Sequence, residues 1–139
     1  MKIQYHNRHE LPESKAHGAK FVSFDELIST SDVISLNLAL THSNEHMIGE
    51  KEFSEMKTGV VIVNTARGAL IDEKALIQAL ESGKVYSAGL DVFENEPKVN
   101  PWFLNNDKIV VAPHIAAATV ETMVRIADLT PASAYLAIV

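Results

Sequence analysis

The stretch Val60-Val61-Ile62-Val63-Asn64-Thr65-Ala66-Arg67-Gly68 decides the fold class. Its first four residues are apolar and β-branched at consecutive positions, whereas a strand with one wet face would alternate. Such a run predicts a strand covered on both faces, the habit of a parallel sheet. It stops at a polar asparagine and passes into a turn. Runs of the same kind lie on either side of it, at 2–5, 20–23, 33–38, 86–91 and 108–112.

Between the runs the pattern turns helical. Phe24–Thr30 follows Ser23, which can cap it; 50–56 is a second segment; 72–82 is the clearest, with Asp72 as N-cap, Leu76, Ile77 and Leu80 on one face, and Gly83 just past the end. Strands alternating with helices predict an α/β domain with a doubly wound parallel sheet. A last helix is expected over 119–129, broken or kinked at Pro131. No Gly-x-Gly-x-x-Gly can be assembled from Gly18, Gly49, Gly59, Gly68, Gly83 and Gly89, so the first β–α unit of such a domain, with its glycine-rich loop, is expected to be missing.

Composition narrows the partners. Twelve Lys and Arg against eighteen Asp and Glu give a net charge of −6, which disfavours a nucleic-acid binder. The sequence has no cysteine, excluding disulfides and thiolate sites and fitting a reducing, cytoplasmic location. No apolar run reaches the ~18 residues that suggest a membrane span. One domain is the natural reading of 139 residues.

In open parallel sheets the ligand lies beyond the carboxyl ends of the strands. Three successive strand ends deliver chemistry there: Asn64 leads to Thr65, Ala66, Arg67 and Gly68; Asp91 leads to Glu94, Glu96 and Pro97; and Pro113 precedes His114. Each alone is an ordinary polar loop residue. Together they bring a cation, carboxylates and an imidazole to one rim.

The strings Val63-Asn64-Thr65-Ala66-Arg67-Gly68, Gly89-Leu90-Asp91-Val92-Phe93-Glu94-Asn95-Glu96-Pro97 and Pro113-His114-Ile115, in this order, closely resemble the D-isomer-specific 2-hydroxyacid dehydrogenases, the glyoxylate and hydroxypyruvate reductases above all. The likeness runs from Met1 to about Leu129. It implies a partial Rossmann-type NAD(P)-binding domain over 1–139, with the substrate domain absent from these residues. The implied activity is hydride transfer between NAD(P)H and a small 2-oxo acid, glyoxylate or hydroxypyruvate, usually in a homodimer. Arg67 then corresponds to the arginine that grips the substrate carboxylate, His114 to the general acid and base, and Glu96 to the carboxylate that orients the imidazole. Glu94 is the neighbouring decoy.

By the same resemblance Leu38, Ala39, Asn44, Thr65, Ala66 and Ala116 line the dinucleotide with Arg67 and His114, and Asp91 faces its nicotinamide end. Ala116-Ala117 and Asn37-Leu38-Ala39 depart from the family's Gly-Ser and His-x-Pro. The first run ends Tyr5-His6-Asn7-Arg8-His9, with no carboxylate before Glu10. An acidic residue there would bond the ribose of NAD, and arginine suits the 2′-phosphate of NADP. NADP(H) is therefore expected over NAD(H), with Asn7 and Arg8 as phosphate contacts.

Two other readings compete. His42-Ser43-Asn44-Glu45-His46 matches the inverted zinc-protease pattern if it forms a helix, which would make His42, Glu45 and His46 a hydrolase centre. A nucleotide-binding or regulatory module without turnover is the other, because fold alone does not prove chemistry. Without glycine loop and substrate domain, residues 1–139 alone are expected to bind cofactor weakly and turn over little.

Overall fold

In the computed structural model, which describes residues 1–129, six strands and six helices alternate. They are β1 Gln4–Tyr5, α1 Glu13–Ala16, β2 Lys20–Phe21, α2 Phe24–Thr30, β3 Val33–Leu36, α3 Glu50–Glu55, β4 Val60–Asn64, α4 Glu73–Glu81, β5 Val85–Leu90, α5 Pro101–Leu104, β6 Ile109–Val111 and α6 Val120–Leu129. A 3-10 turn, Gly68–Leu70, precedes α4. The kink expected at Pro131 lies outside the described residues. No helix among the described residues is long and apolar enough to cross a membrane.

Every strand pairing is parallel, as the continuous apolar runs require. β3, β4, β5 and β6 form one sheet in chain order, and β1 pairs with β2 in a separate two-stranded sheet. The register sets Leu36 beside Asn64, Asn64 beside Leu90, and Leu90 beside Val111, so these carboxyl ends form one rim.

One face of the larger sheet carries the core. Ile34, Leu36, Val60, Ile62, Val85, Ala88 and Leu90 pack with Ile28 of α2, Phe53 of α3, Leu76 and Leu80 of α4, and Phe103 of α5. Each of these buried Val, Leu, Ile and Phe side chains contributes roughly 1.5–3 kcal/mol of transfer free energy, and Ala88 less. On the opposite face cover is partial: Val61 and Val63 are half-buried, while Val33, Tyr86 and Val110 are exposed. Cover on both faces was the expectation for β4, and only one face has it in full.

Helix ends follow local chemistry. The Ser23 hydroxyl accepts the Glu26 amide at 3.1 Å, and Asp72 accepts the amides of Lys74 and Ala75 at 2.9 and 3.2 Å. Gly83 follows α4 at φ 78°, a left-handed position that costs glycine nothing. The short helices α1 and α5 were not foreseen. α5 nevertheless has a legible start, Asn100 capping the Trp102 amide at 3.0 Å with Pro101 in the first turn.

Candidate active site

The rim is assembled by main-chain bonds that step across the sheet. The Asp91 amide donates to the Asn64 carbonyl at 3.0 Å, and the His114 amide donates to the Asp91 carbonyl at 2.8 Å. The three segments singled out in the sequence are thus tied together in order.

Beyond β4, the side chain of Asn64 builds the turn that presents Arg67. It is buried at 1% exposure; its Oδ1 accepts the Ala66 amide at 3.0 Å and its Nδ2 donates to the Arg67 carbonyl at 2.9 Å. Arg67 itself is exposed, and its Nη1 donates to the Ala66 carbonyl at 2.6 Å. Gly68 is required for a different reason. A Cβ there would stand 1.9 Å from the carbonyl carbon of Phe93, so the Arg67 turn lies directly on the backbone of the turn after β5.

That second turn carries the acids. Glu96 Oε1 accepts the Phe93 amide at 2.9 Å, and Oε2 lies 2.8 Å from His114 Nδ1. A carboxylate partner requires the proton on Nδ1, which leaves Nε2 for exchange with a reactant. The hydrogen bond from His114 is the main cause holding the Glu96 carboxyl below its ordinary pKa, followed by the Phe93 amide. His114 adopts φ 55°, a left-handed conformation unusual for a residue with a side chain. Strain of this kind persists only where surroundings impose it.

Asp91 imposes it. This carboxylate, 4% exposed, accepts the amides of Ile115 and Ala116, each at 2.8 Å, on Oδ1 and Oδ2 respectively. Expected at the nicotinamide, Asp91 directs its carboxylate to the loop that presents His114, and the Ala116 amide is engaged by it. That service to the loop was not read from the sequence.

At the other end of the rim, Leu36, Asn37, Leu38, Ala39, Leu40, Thr65, Ala66 and Arg67 line a cleft of about 580 Å³. Leucine and alanine walls beside peptide groups and a guanidinium suit a flat aromatic ring carrying polar edges. Asn44 lies behind this wall, its Nδ2 donating to the Ala39 carbonyl at 2.9 Å and its Oδ1 accepting the Thr41 amide at 2.7 Å. The structure thus gathers Leu38, Ala39, Thr65, Ala66 and Arg67 in one cleft and Asp91, Glu96, His114 and Ala116 in a neighbouring cluster. Asn7 and Arg8 stand apart, exposed, beyond β1 of the smaller sheet, where the Arg8 amide donates to Asn7 Oδ1 at 2.8 Å.

The zinc pattern does not form. Residues 42–46 are turns, not the helix the motif needs, and His46 Nε2 pairs with Glu94 at 3.0 Å. Among the described residues no group of three potential ligands could hold a metal ion. The reason is local: the stretch joins a strand to a short helix, and His46 takes φ 50°.

Comparison with known proteins gives one family. Residues 1–116 match the family model described as D-isomer specific 2-hydroxyacid dehydrogenase, NAD binding domain. The 4-methyl-2-oxopentanoate reductase A of Aspergillus oryzae is 64% identical over 122 residues, covering 88% of this chain and 37% of that protein. Glyoxylate reductase 1 of Saccharomyces cerevisiae is 48% identical over 125 residues, covering 90% and 36%. Among solved structures, a glyoxylate reductase from Paecilomyes thermophila superposes with TM-score 0.89 at 63% identity, covering 93% of this chain and 39% of that one. The chain spans a little over a third of the length of the relatives it matches.

Proposed function

Since the chain belongs to the D-isomer specific 2-hydroxyacid dehydrogenase family through its NAD binding domain, we propose that it serves reversible hydride transfer between a nicotinamide dinucleotide and a small 2-oxo acid. The observation that carries this reading is the 2.8 Å contact between His114 Nδ1 and Glu96 Oε2, on the rim that also carries Arg67. Glyoxylate and hydroxypyruvate are the leading substrates. The name of the Aspergillus relative adds 4-methyl-2-oxopentanoate as the branched alternative to test. Residues 1–139 serve as part of the nucleotide-binding domain, the glycine turn and the substrate domain lying outside them.

Bound in the Leu38–Arg67 cleft, the nicotinamide would supply the hydride to the carbonyl carbon. Arg67 holds the substrate carboxylate in two places and polarises the adjacent carbonyl. His114 gives its proton to the carbonyl oxygen as that oxygen becomes a hydroxyl, and recovers one from water. Glu96 keeps the imidazole oriented and favours its charged form in the reducing direction. Asp91 holds the loop so that His114 keeps its left-handed backbone. NADP(H) is preferred, supported by exposed Arg8 and by Asn7, whose NH2 remains able to donate while its carbonyl accepts the Arg8 amide. A second copy of the chain is the expected partner, supported by exposed Val120, Met123 and Val124 on α6, and the cytosol the expected location.

The test is direct. Joined to the glycine turn and substrate domain of the Aspergillus relative, residues 1–139 are assayed with NADPH or NADH against the three 2-oxo acids, and binding of each nucleotide is followed by calorimetry. NADPH-dependent turnover that is lost in His114→Asn supports the proposal. Turnover surviving that substitution overturns it, binding without turnover favours the regulatory reading, and a strong NADH preference removes the roles of Asn7 and Arg8.

A further inference from the structure

The turn that carries Glu96 also carries a second carboxylate–imidazole cluster, which the proposed chemistry leaves unused. Glu94 and Glu73 clasp each other reciprocally: the Glu73 amide donates to Glu94 Oε1 at 2.9 Å, and the Glu94 amide donates to Glu73 Oε1 at 2.9 Å. His46 closes the group, its Nε2 lying 3.0 Å from the same Glu94 Oε1 and its amide donating to the Ala69 carbonyl at 2.7 Å. Three segments meet here: the loop after β3, the turn after Arg67 with the start of α4, and the turn after β5.

We infer that His46, Glu94 and Glu73 are positioning residues that lock the turn bearing Glu96 onto the turn bearing Arg67. The inference rests on the proposed dehydrogenase chemistry and adds to it a cause for the alignment. Successive amides of one turn are held from two sides, Phe93 by Glu96 Oε1 and Glu94 by Glu73 Oε1. The backbone between them is the surface on which Gly68 rests. Opening the clasp therefore releases the Phe93–Glu94 peptide. Glu96 then loses its fixed amide, and its contact with His114 loosens.

Several charges converge on the site. Glu73 lies in the first turn of α4 beside its cap Asp72, His46 comes from the loop after β3, and Asp91 stands at the end of β5 near Glu96. Burial, with Glu94 adding to it, pushes the Glu73 carboxyl above its ordinary pKa despite the Glu94 amide. Two carboxylates are tolerated side by side because helix amides and an imidazole share them.

The experiment follows the Glu96 carboxyl by carbon NMR through a pH titration of this chain, in the wild type and in Glu94→Ala, His46→Asn and Glu94→Gln. The expected result is an upward move of the Glu96 titration by roughly half a pH unit or more in the first two variants, as the bonds that depress it loosen. Glu94→Gln, which keeps an acceptor for the Glu73 amide, restores most of the wild-type titration. In turnover, measured with the glycine turn and substrate domain supplied, Glu94→Ala and His46→Asn lower kcat by about tenfold with little change in the KM for nucleotide, because positioning acts on the proton-transfer step, and Glu94→Gln does not. A merely structural role would lower the melting temperature and leave the Glu96 titration in place, and that result overturns the inference. If Glu94→Ala fails to fold, His46→Asn and Glu94→Gln decide. Turnover that survives His114→Asn would sink the dehydrogenase reading instead; loss of turnover there with an unmoved Glu96 titration sinks the clasp alone.

Discussion

Two carboxylate–imidazole pairs stand on one turn, and they differ in what backs them. Glu96 meets His114 at 2.8 Å and Glu94 meets His46 at 3.0 Å; both histidines have left-handed backbones, at φ 55° and 50°. The Glu96 pair divides its work, one oxygen on a main-chain amide and the other on the ring. In the Glu94 pair a single oxygen serves both the ring and the first amide of α4. Side-chain exposure is 35% for Glu96 and 22% for Glu94. The imidazoles are almost equally exposed, 49% for His114 and 45% for His46, so what separates the pairs is the work of the carboxylate: Glu96 fixes its own turn, whereas Glu94 ties that turn to the start of α4.

The sharpest way to break this comparison is to remove each histidine. His114→Asn, which tolerates a left-handed backbone, should lower turnover on the order of a thousandfold with the fold intact, whereas general acid–base loss is not expected from His46→Asn. Steady-state kinetics beside circular dichroism checks this. Gly68→Ala should strike both pairs, because the added methyl meets the Phe93 backbone they share; a loss of about 1–3 kcal/mol in denaturant unfolding, with turnover falling alongside, is the expected outcome.

Acid titration separates the two acids by sign. The folded Glu96 carboxyl titrates below its ordinary value, so its stabilisation is present above that value and is lost as pH falls through the lowered one. Glu73 titrates above its ordinary value, so its contribution is present in acid and disappears as pH rises through the raised value. Melting curves across the acid range should accordingly show Glu96→Gln flattening the acid loss, and Glu73→Gln gaining on the wild type toward neutrality. The smallest effect is expected at a site that touches neither pair: Lys20→Ala, which opens the exposed bridge to Glu26, should cost under ~1 kcal/mol and leave turnover unchanged.

The sequence was most informative where the governing interactions are local. Asp72, Leu76, Leu80 and Gly83 announce α4 because cap, stripe and stop lie within one helix, and the apolar run at Val60 announces a parallel strand. The motif resemblance anticipated the Glu96–His114 contact and set Glu94 aside. What it did not reveal are bonds made across the fold. Glu73 and Glu94 clasp each other over 21 residues of sequence, and Asp91 reaches the amides of Ile115 and Ala116 over 24 and 25. No periodicity records such pairings. Gly68 carried a signal, a glycine directly after the arginine of a strand-end turn, but its cause, the backbone of Phe93, lies in another loop. The pattern at His42, Glu45 and His46 needed a helix to become a metal site, and its polar setting just after a strand already spoke against one; the stretch turns instead.

The buried amide of Asn64 has a bearing on how the molecule ages. Hydrolytic loss of ammonia from that side chain would leave an aspartate able to accept the Ala66 amide but with no N–H for the Arg67 carbonyl. One slow covalent lesion would then set a buried carboxylate oxygen against the Arg67 carbonyl, and the bend that displays the guanidinium would open at the strand end to which the Asp91 amide is bonded.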